Sequence, residues 1–166
     1  AQRYPDIRFL VPAASELIRE YLETQLQQYA SLDCRVFTSK ARQVVAASDL
    51  VVCASGTATL EVMLINRPMV VCYRLAGMTY TLAKWLKLVK SRFFALPNIL
   101  AGEQLVPELL QHEVTGERIA QEASKWLDQA ELRAELEERF GQLHGQLRVD
   151  AATTAARTVL EHISSS

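Results

Sequence analysis

The stretch D-L-V-V-C-A-S-G-T-A-T-L-E, from Asp49 to Glu61, reads as a buried strand, a tight turn and the opening of a helix. Leu50, Val51, Val52 and Cys53 form a short apolar run rich in β-branched side chains, the pattern of a parallel strand covered on both faces. Ala54 to Thr57 offers only small or hydroxyl side chains. Gly56 permits a sharp turn or a close approach by a ligand, and Ser55 and Thr57 are both suited to cap the helix that follows. A helix that opens at the carboxyl end of such a strand turns free N–H groups and the positive end of its dipole into the crevice, which favours a phosphate. Glu61 lies four residues after Thr57 on the same helix face, where a carboxylate is placed to accept hydrogen bonds from a ribose. The same residues also read as an ordinary cap and an ordinary first-turn acid, because S-G-T is far less specific than a full glycine-rich fingerprint.

Outward from this stretch, strands alternate with helices. Ile7 to Val11 is a first strand, and Ser15 caps a helix on which Leu17, Ile18, Tyr21, Leu22, Leu26 and Tyr29 repeat at helical spacing. Cys34 to Thr38 is a second strand, Ser39 to Ala47 a short helix, and Leu50 to Cys53 the third strand. The helix from Thr57 ends near Asn66, Pro68 breaks it, and Met69 to Tyr73 is a fourth strand. Gly77 leads into a basic, aromatic helix as far as about Val89, and Arg92 to Leu96 reads as a fifth strand entering the turn-like L-P-N. From Leu105 onward the pattern is helical throughout, with breaks near Thr115, Gly141 to Gly145 and Asp150. Strands alternating with helices imply βαβ units, a parallel sheet and right-handed crossovers. Ala1 to Pro5 reads like the end of a helix entering what is normally the second strand of a doubly wound nucleotide domain. The expectation is therefore a fragment whose first, central strand is missing, with the strands at Ile7 and Leu50 flanking a gap.

Composition bounds the function. At 166 residues, 49% hydrophobic and 22% charged, the chain has the apolar content of one ordinary soluble domain, with no apolar run of membrane-spanning length. Cys34, Cys53 and Cys72 are odd in number, widely spaced and set in strand-like runs, as buried thiols of a reducing compartment are. His112, His144 and His162 have no ligand spacing, so no metal site is expected, and the chain is read as using no cofactor. The net charge of -1 hides an uneven distribution: no acid falls between Glu61 and Glu103, a window that holds Arg67, Arg74, Lys84, Lys87, Lys90 and Arg92. From Glu103 to the end, twelve acids face six bases.

Four blocks then add up to a resemblance. A-A-S-D-L-V-V-C-A-S-G-T-A-T-L-E (46 to 61), R-P-M-V-V-C-Y-R (67 to 74), L-P-N-I-L-A-G (96 to 102) and P-E-L-L-Q (107 to 111) resemble, in order and spacing, the carboxyl-terminal half of the lipid-A-disaccharide synthase family. The similarity is strongest from Ala46 to Gln111 and returns in L-R-V-D-A-A-T-T-A-A-R-T-V-L near the end. The resemblance implies a GT-B glycosyltransferase and, for this chain, the Rossmann-like parallel sheet of its carboxyl-terminal domain. Residues 1–148 would form the UDP-sugar-binding domain, incomplete at its start, and residues 149–166 a carboxyl-terminal helix returning toward the missing amino-terminal domain. The implied reaction is an inverting hexosyl transfer from UDP-diacylglucosamine to diacylglucosamine 1-phosphate, with no metal requirement and no nucleic-acid partner. Ser55, Gly56 and Thr57 match the pyrophosphate-facing turn, Glu61 the ribose contact, and Asn98 a polar residue needed for activity near the UDP. Tyr73 and Arg74 line the same end of the sheet, Arg74 reading equally as a solvated rim charge. No residue of the chain stands out as the general base, which in the family belongs to the absent half, so the chain alone is expected to be inactive. Another UDP-N-acetylglucosamine-using GT-B transferase or epimerase, and a non-catalytic peripheral membrane or protein-interaction module, are the alternative readings.

Acylated sugars live in a bilayer, and Met78 to Phe94 has the composition of a surface that meets one. Lys84 and Lys87 share a helical face, with Lys90 and Arg92 beyond, while Leu82, Trp85, Leu86 and Val89 form another. Leu82, Leu86 and Val89 suit packing on the sheet; Lys84, Trp85, Lys87 and Lys90 suit contact with an anionic leaflet, each basic residue gaining about 1 kcal/mol there. The expected location is cytoplasmic, on the inner face of the bacterial inner membrane.

Overall fold

The computed structural model describes residues 3–74, 92–148 and 163. Among these the order is β1 (Arg8–Ala13), α1 (Glu16–Leu26), β2 (Asp33–Thr38), α2 (Ala41–Ala47), β3 (Val51–Ala54), α3 (Thr57–Leu64), β4 (Met69–Tyr73), α4 (Leu96–Ala101), β5 (Glu108–Leu110), α5 (Gly116–Asp128) and α6 (Ala130–Leu147). Every strand pairing is parallel. This is the α/β, Rossmann-like architecture that the alternating pattern implies.

The strands form two sheets, β1 with β2 and β3–β4–β5. Arg8 to Ala13 stand opposite Asp33 to Thr38, while Val51 to Ala54 stand opposite Met69 to Cys72. Among the described residues β1 and β3 are not paired with each other, so each has one edge without a strand partner.

The core belongs to the second sheet. Met69, Val70 and Val71 of β4 are each at most 1% exposed, as expected for a strand flanked on both edges and covered on both faces. Val62 and Met63 of α3, Leu109 of β5, Trp126 of α5, and Leu136, Phe140 and Leu143 of α6 complete the cluster. Two helices are closed by chemistry legible in the sequence. Thr115 caps α5 by accepting the Arg118 N–H at 3.2 Å, and Asn66 (φ 62°) ends α3 in the left-handed conformation that Asn tolerates.

Three readings are corrected. Arg92 to Leu96 is not a strand: α4 begins at Leu96, with Ala95 at the cap and Pro97 in the first turn, where a missing N–H costs nothing. The fifth strand is Glu108–Leu110, so the chain is not helical throughout from Leu105. Finally, α6 runs unbroken through Gly141 and Gly145 to Leu147. A helical glycine costs about 1 kcal/mol, and the burial of Phe140 and Leu143 on that turn outweighs it.

Candidate functional site

At the end of β3 the Ser55 N–H donates to the Cys72 carbonyl at 3.1 Å, carrying the ladder one step past the strand. Gly56 follows with φ 140° and ψ −162°, a region open in practice only to glycine. A Cβ added there would meet nothing within 4 Å, so the requirement for glycine is purely conformational. Gly56, not Ser55 or Thr57, occupies the cap of α3, and no side chain caps that helix. The expected hydroxyl cap is thus corrected to a bare glycine cap, which leaves the first helical N–H groups to solvent or a ligand. Gly56, Thr57, Ala58 and Glu61 are exposed. Among the described residues the Glu61 carboxylate meets no ion-pair or hydrogen-bond partner.

The hydroxyls of the turn face inward instead. Ser55 Oγ donates to the Phe94 carbonyl at 2.9 Å. Thr59, fully buried, donates from Oγ1 to the Gly56 carbonyl at 2.7 Å and accepts the Leu96 N–H at 3.2 Å. Segment 94–96 is therefore bound on either side of Gly56. The Tyr73 ring stacks on Phe94, with centroids 5.3 Å apart and planes 22° from parallel, so Ser55 and Tyr73 converge on one residue.

Asn98 is also fully buried. Its Oδ1 accepts the N–H groups of Leu105 (2.8 Å) and Val106 (2.9 Å), while Nδ2 donates to the Val106 carbonyl (2.9 Å) and to Glu108 Oε1 (2.7 Å). Four bonds exhaust what an amide side chain can make. Asn98 organises the loop that joins α4 to β5, in place of presenting its amide at the surface. Arg74 is exposed, and its Nη2 donates to the Val114 carbonyl at 2.9 Å, pinning the end of β4 to the approach to α5. The structure thus brings Ser55, Gly56, Thr57 and Tyr73 to the ends of two neighbouring strands with Glu61 one turn into α3, while Asn98 is tied into the α4–β5 loop and Arg74 to the Val114 carbonyl. Lys84, Trp85, Lys87 and Lys90, and the helix and apolar face read around them, lie outside the described residues.

The three thiols are half-buried and unpaired. Burial, with Cys72 nearby, pushes the Cys53 thiol up to about 11, and burial raises Cys34 and Cys72 as well. All three stay protonated at neutral pH, and a protonated thiol is a poor nucleophile. A cleft of about 500 Å³ lies elsewhere, among Glu103, Leu105, Trp126, Leu132 and Arg139. Of its charged lining, Arg139 is paired with Glu103, which leaves Glu135 as the remaining charge, an acid that does not favour an anionic ligand.

A parallel α/β domain in which a bare glycine cap opens a helix at a strand's carboxyl end belongs to the broad class of Rossmann-like folds. The family model described as lipid-A-disaccharide synthetase matches residues 1–159, and the chain belongs to that family. Relatives named lipid-A-disaccharide synthase include those of Alcanivorax borkumensis, 42% identical over 93% of this chain, and Saccharophagus degradans, 39% identical over 96%. That of Chromobacterium violaceum is 41% identical over 96%. The chain spans 40%, 41% and 42% of the length of these three relatives.

Proposed function

We propose that the chain is the nucleotide-sugar-binding half of an inverting glycosyltransferase that joins UDP-diacylglucosamine to diacylglucosamine 1-phosphate, giving the lipid A disaccharide precursor and UDP. The family match over residues 1–159 carries this reading, and the open start of α3 supports it. In this reading the N–H groups that follow Gly56, with the exposed Thr57, receive the pyrophosphate. Ser55 has its proton on the Phe94 carbonyl and braces the turn. Glu61 accepts from the ribose, and Tyr73 and Arg74 border the same end of the sheet. Glycosyl transfer leaves negative charge on UDP. Dipoles already aimed at that charge stabilise it in the transition state with little reorganisation. The general base comes from the part of the relatives that this chain does not span, so the chain alone binds without catalysing. A parallel strand from that part fills the interval between β1 and β3; the helix read over residues 149–166 lies, but for Ile163, outside the described residues. Lys84, Trp85, Lys87 and Lys90 dock the enzyme on an anionic cytoplasmic leaflet.

Isothermal titration of the full-length protein with UDP tests the reading. Saturable binding that Glu61→Ala weakens is the expected result, and a protein that ignores UDP contradicts it. Activity on acylated but not on unacylated UDP-glucosamine separates this enzyme from others that use N-acetylglucosamine nucleotides.

A further inference from the structure

Glu108 begins β5, on the side of β4 opposite β3. Its carboxylate nevertheless reaches the segment that lies on the Gly56 turn. Oε2 accepts the Phe94 N–H at 2.9 Å, and Oε1 accepts both the Ala95 N–H at 2.9 Å and the Asn98 amide at 2.7 Å. Ala95 is fully buried and has no side-chain oxygen with which to cap α4. Glu108 thus accepts from a distance the N–H groups of the two residues that lead into α4, the Ala95 bond being the one an N3 Glu makes in a capping box. Phe94 is consequently held at both ends of one residue. Its N–H goes to Glu108 and its carbonyl receives the Ser55 hydroxyl, while two residues on the Leu96 N–H goes to Thr59.

We propose that Glu108 is a positioning residue for the nucleotide turn, acting through the backbone of residues 94–96 on Ser55 and Thr59 at either side of Gly56. The proposal rests on the reading of that turn as the nucleotide site. Because the three bonds to Glu108 are charge-assisted, their loss frees segment 94–98 from β5 and lets the turn relax. Glu108→Gln has nearly the same shape, but it places an amide N–H against one of the donors, and the Phe94 bond is the one a single remaining oxygen gives up.

The test compares the full-length parent, Glu108→Gln, Glu108→Ala and, as a control, Glu103→Gln, which breaks only the exposed ion pair with Arg139. UDP affinity and the Michaelis constant for the nucleotide sugar are measured on protein shown to be folded by its cooperative thermal transition. The expected result is UDP binding about tenfold weaker in Glu108→Gln, the loss of roughly one charge-assisted hydrogen bond, and weaker still in Glu108→Ala, with Glu103→Gln at the parental value. Folded Glu108→Gln that melts earlier yet binds UDP like the parent makes Glu108 a scaffold bond only and overturns the inference, even if Glu108→Ala fails to fold. A parent that does not bind UDP at all removes the nucleotide reading and the inference with it.

Discussion

In the sheet β3–β4–β5 the middle strand has Met69 at 0% and Val71 at 1% exposure, whereas in β1–β2 Phe9 is 38% exposed and the helix that follows leaves Leu17 75% exposed. Both regions come from the same strand–helix alternation. The difference lies in their neighbours. β4 has a strand on each edge, and α3, α4, α5 and α6 gather around that sheet, while β1 pairs only with β2 and α1 buries none of its residues. Binary pattern decides which residues can be core; only the assembled neighbours decide which of them are. The bare glycine cap and the network that braces it belong to the densely packed region, where a turn can be held rigidly.

The contrast is sharpened most by core truncation. Phe140→Ala, at a site 1% exposed, is expected to cost about 3 to 5 kcal/mol in denaturant unfolding, while Leu17→Ala in the chain alone stays within about 0.5 kcal/mol. Equal losses at the two positions would break the comparison. At the turn, Glu61→Ala in the full-length protein should lose on the order of 1.5 to 3 kcal/mol of UDP binding with little change in unfolding, because Glu61 is exposed and has no protein partner among the described residues. Gly56→Ala forces a residue with a Cβ into φ 140° and should cost about 1 to 3 kcal/mol of stability. A neutral effect would mean that the turn adapts and is not rigidly held.

How much of this was legible in the sequence follows from the range of the interactions involved. The first four strands and the strand–turn–helix at Gly56 rest on neighbouring residues, and period and β-branching reveal them. The start of α4 does not. Its donors are satisfied by Thr59, 37 residues before Leu96, and by Glu108, 13 residues after Ala95, so L-P-N reads locally as the end of a strand. Asn98 was visible as a polar residue worth singling out, but its burial was not, since its partners are backbone groups of a loop with no signature of its own. Thr59 and Glu108 were missed as members of the site because a Thr inside a helix and a Glu before two leucines are ordinary in isolation. Only their convergence on residues 94–96 sets them apart.

The smallest effect at neutral pH concerns Cys53, which lies in β3 just before the turn. Its thiol is raised from 9.0 in the open chain to about 11 in the fold, chiefly by burial. The folded state prefers the neutral thiol, so this contribution is fully present below pH 9, and it is lost as the pH rises through 11. Stability should fall over that window, and Cys53→Ala should flatten the fall. An unchanged slope would show that Cys53 is better solvated than the rest of its sheet.

The central claim is that the N–H groups opening α3 are the anion site of this family member. Amide hydrogen exchange of the full-length protein with and without saturating UDP tests it residue by residue. The account requires UDP to slow exchange at Thr57 and Ala58, with α1 unchanged. Protection that appears instead around Glu103, Trp126 and Arg139, with residues 56–61 unaffected, would contradict it and move the nucleotide to the other cleft.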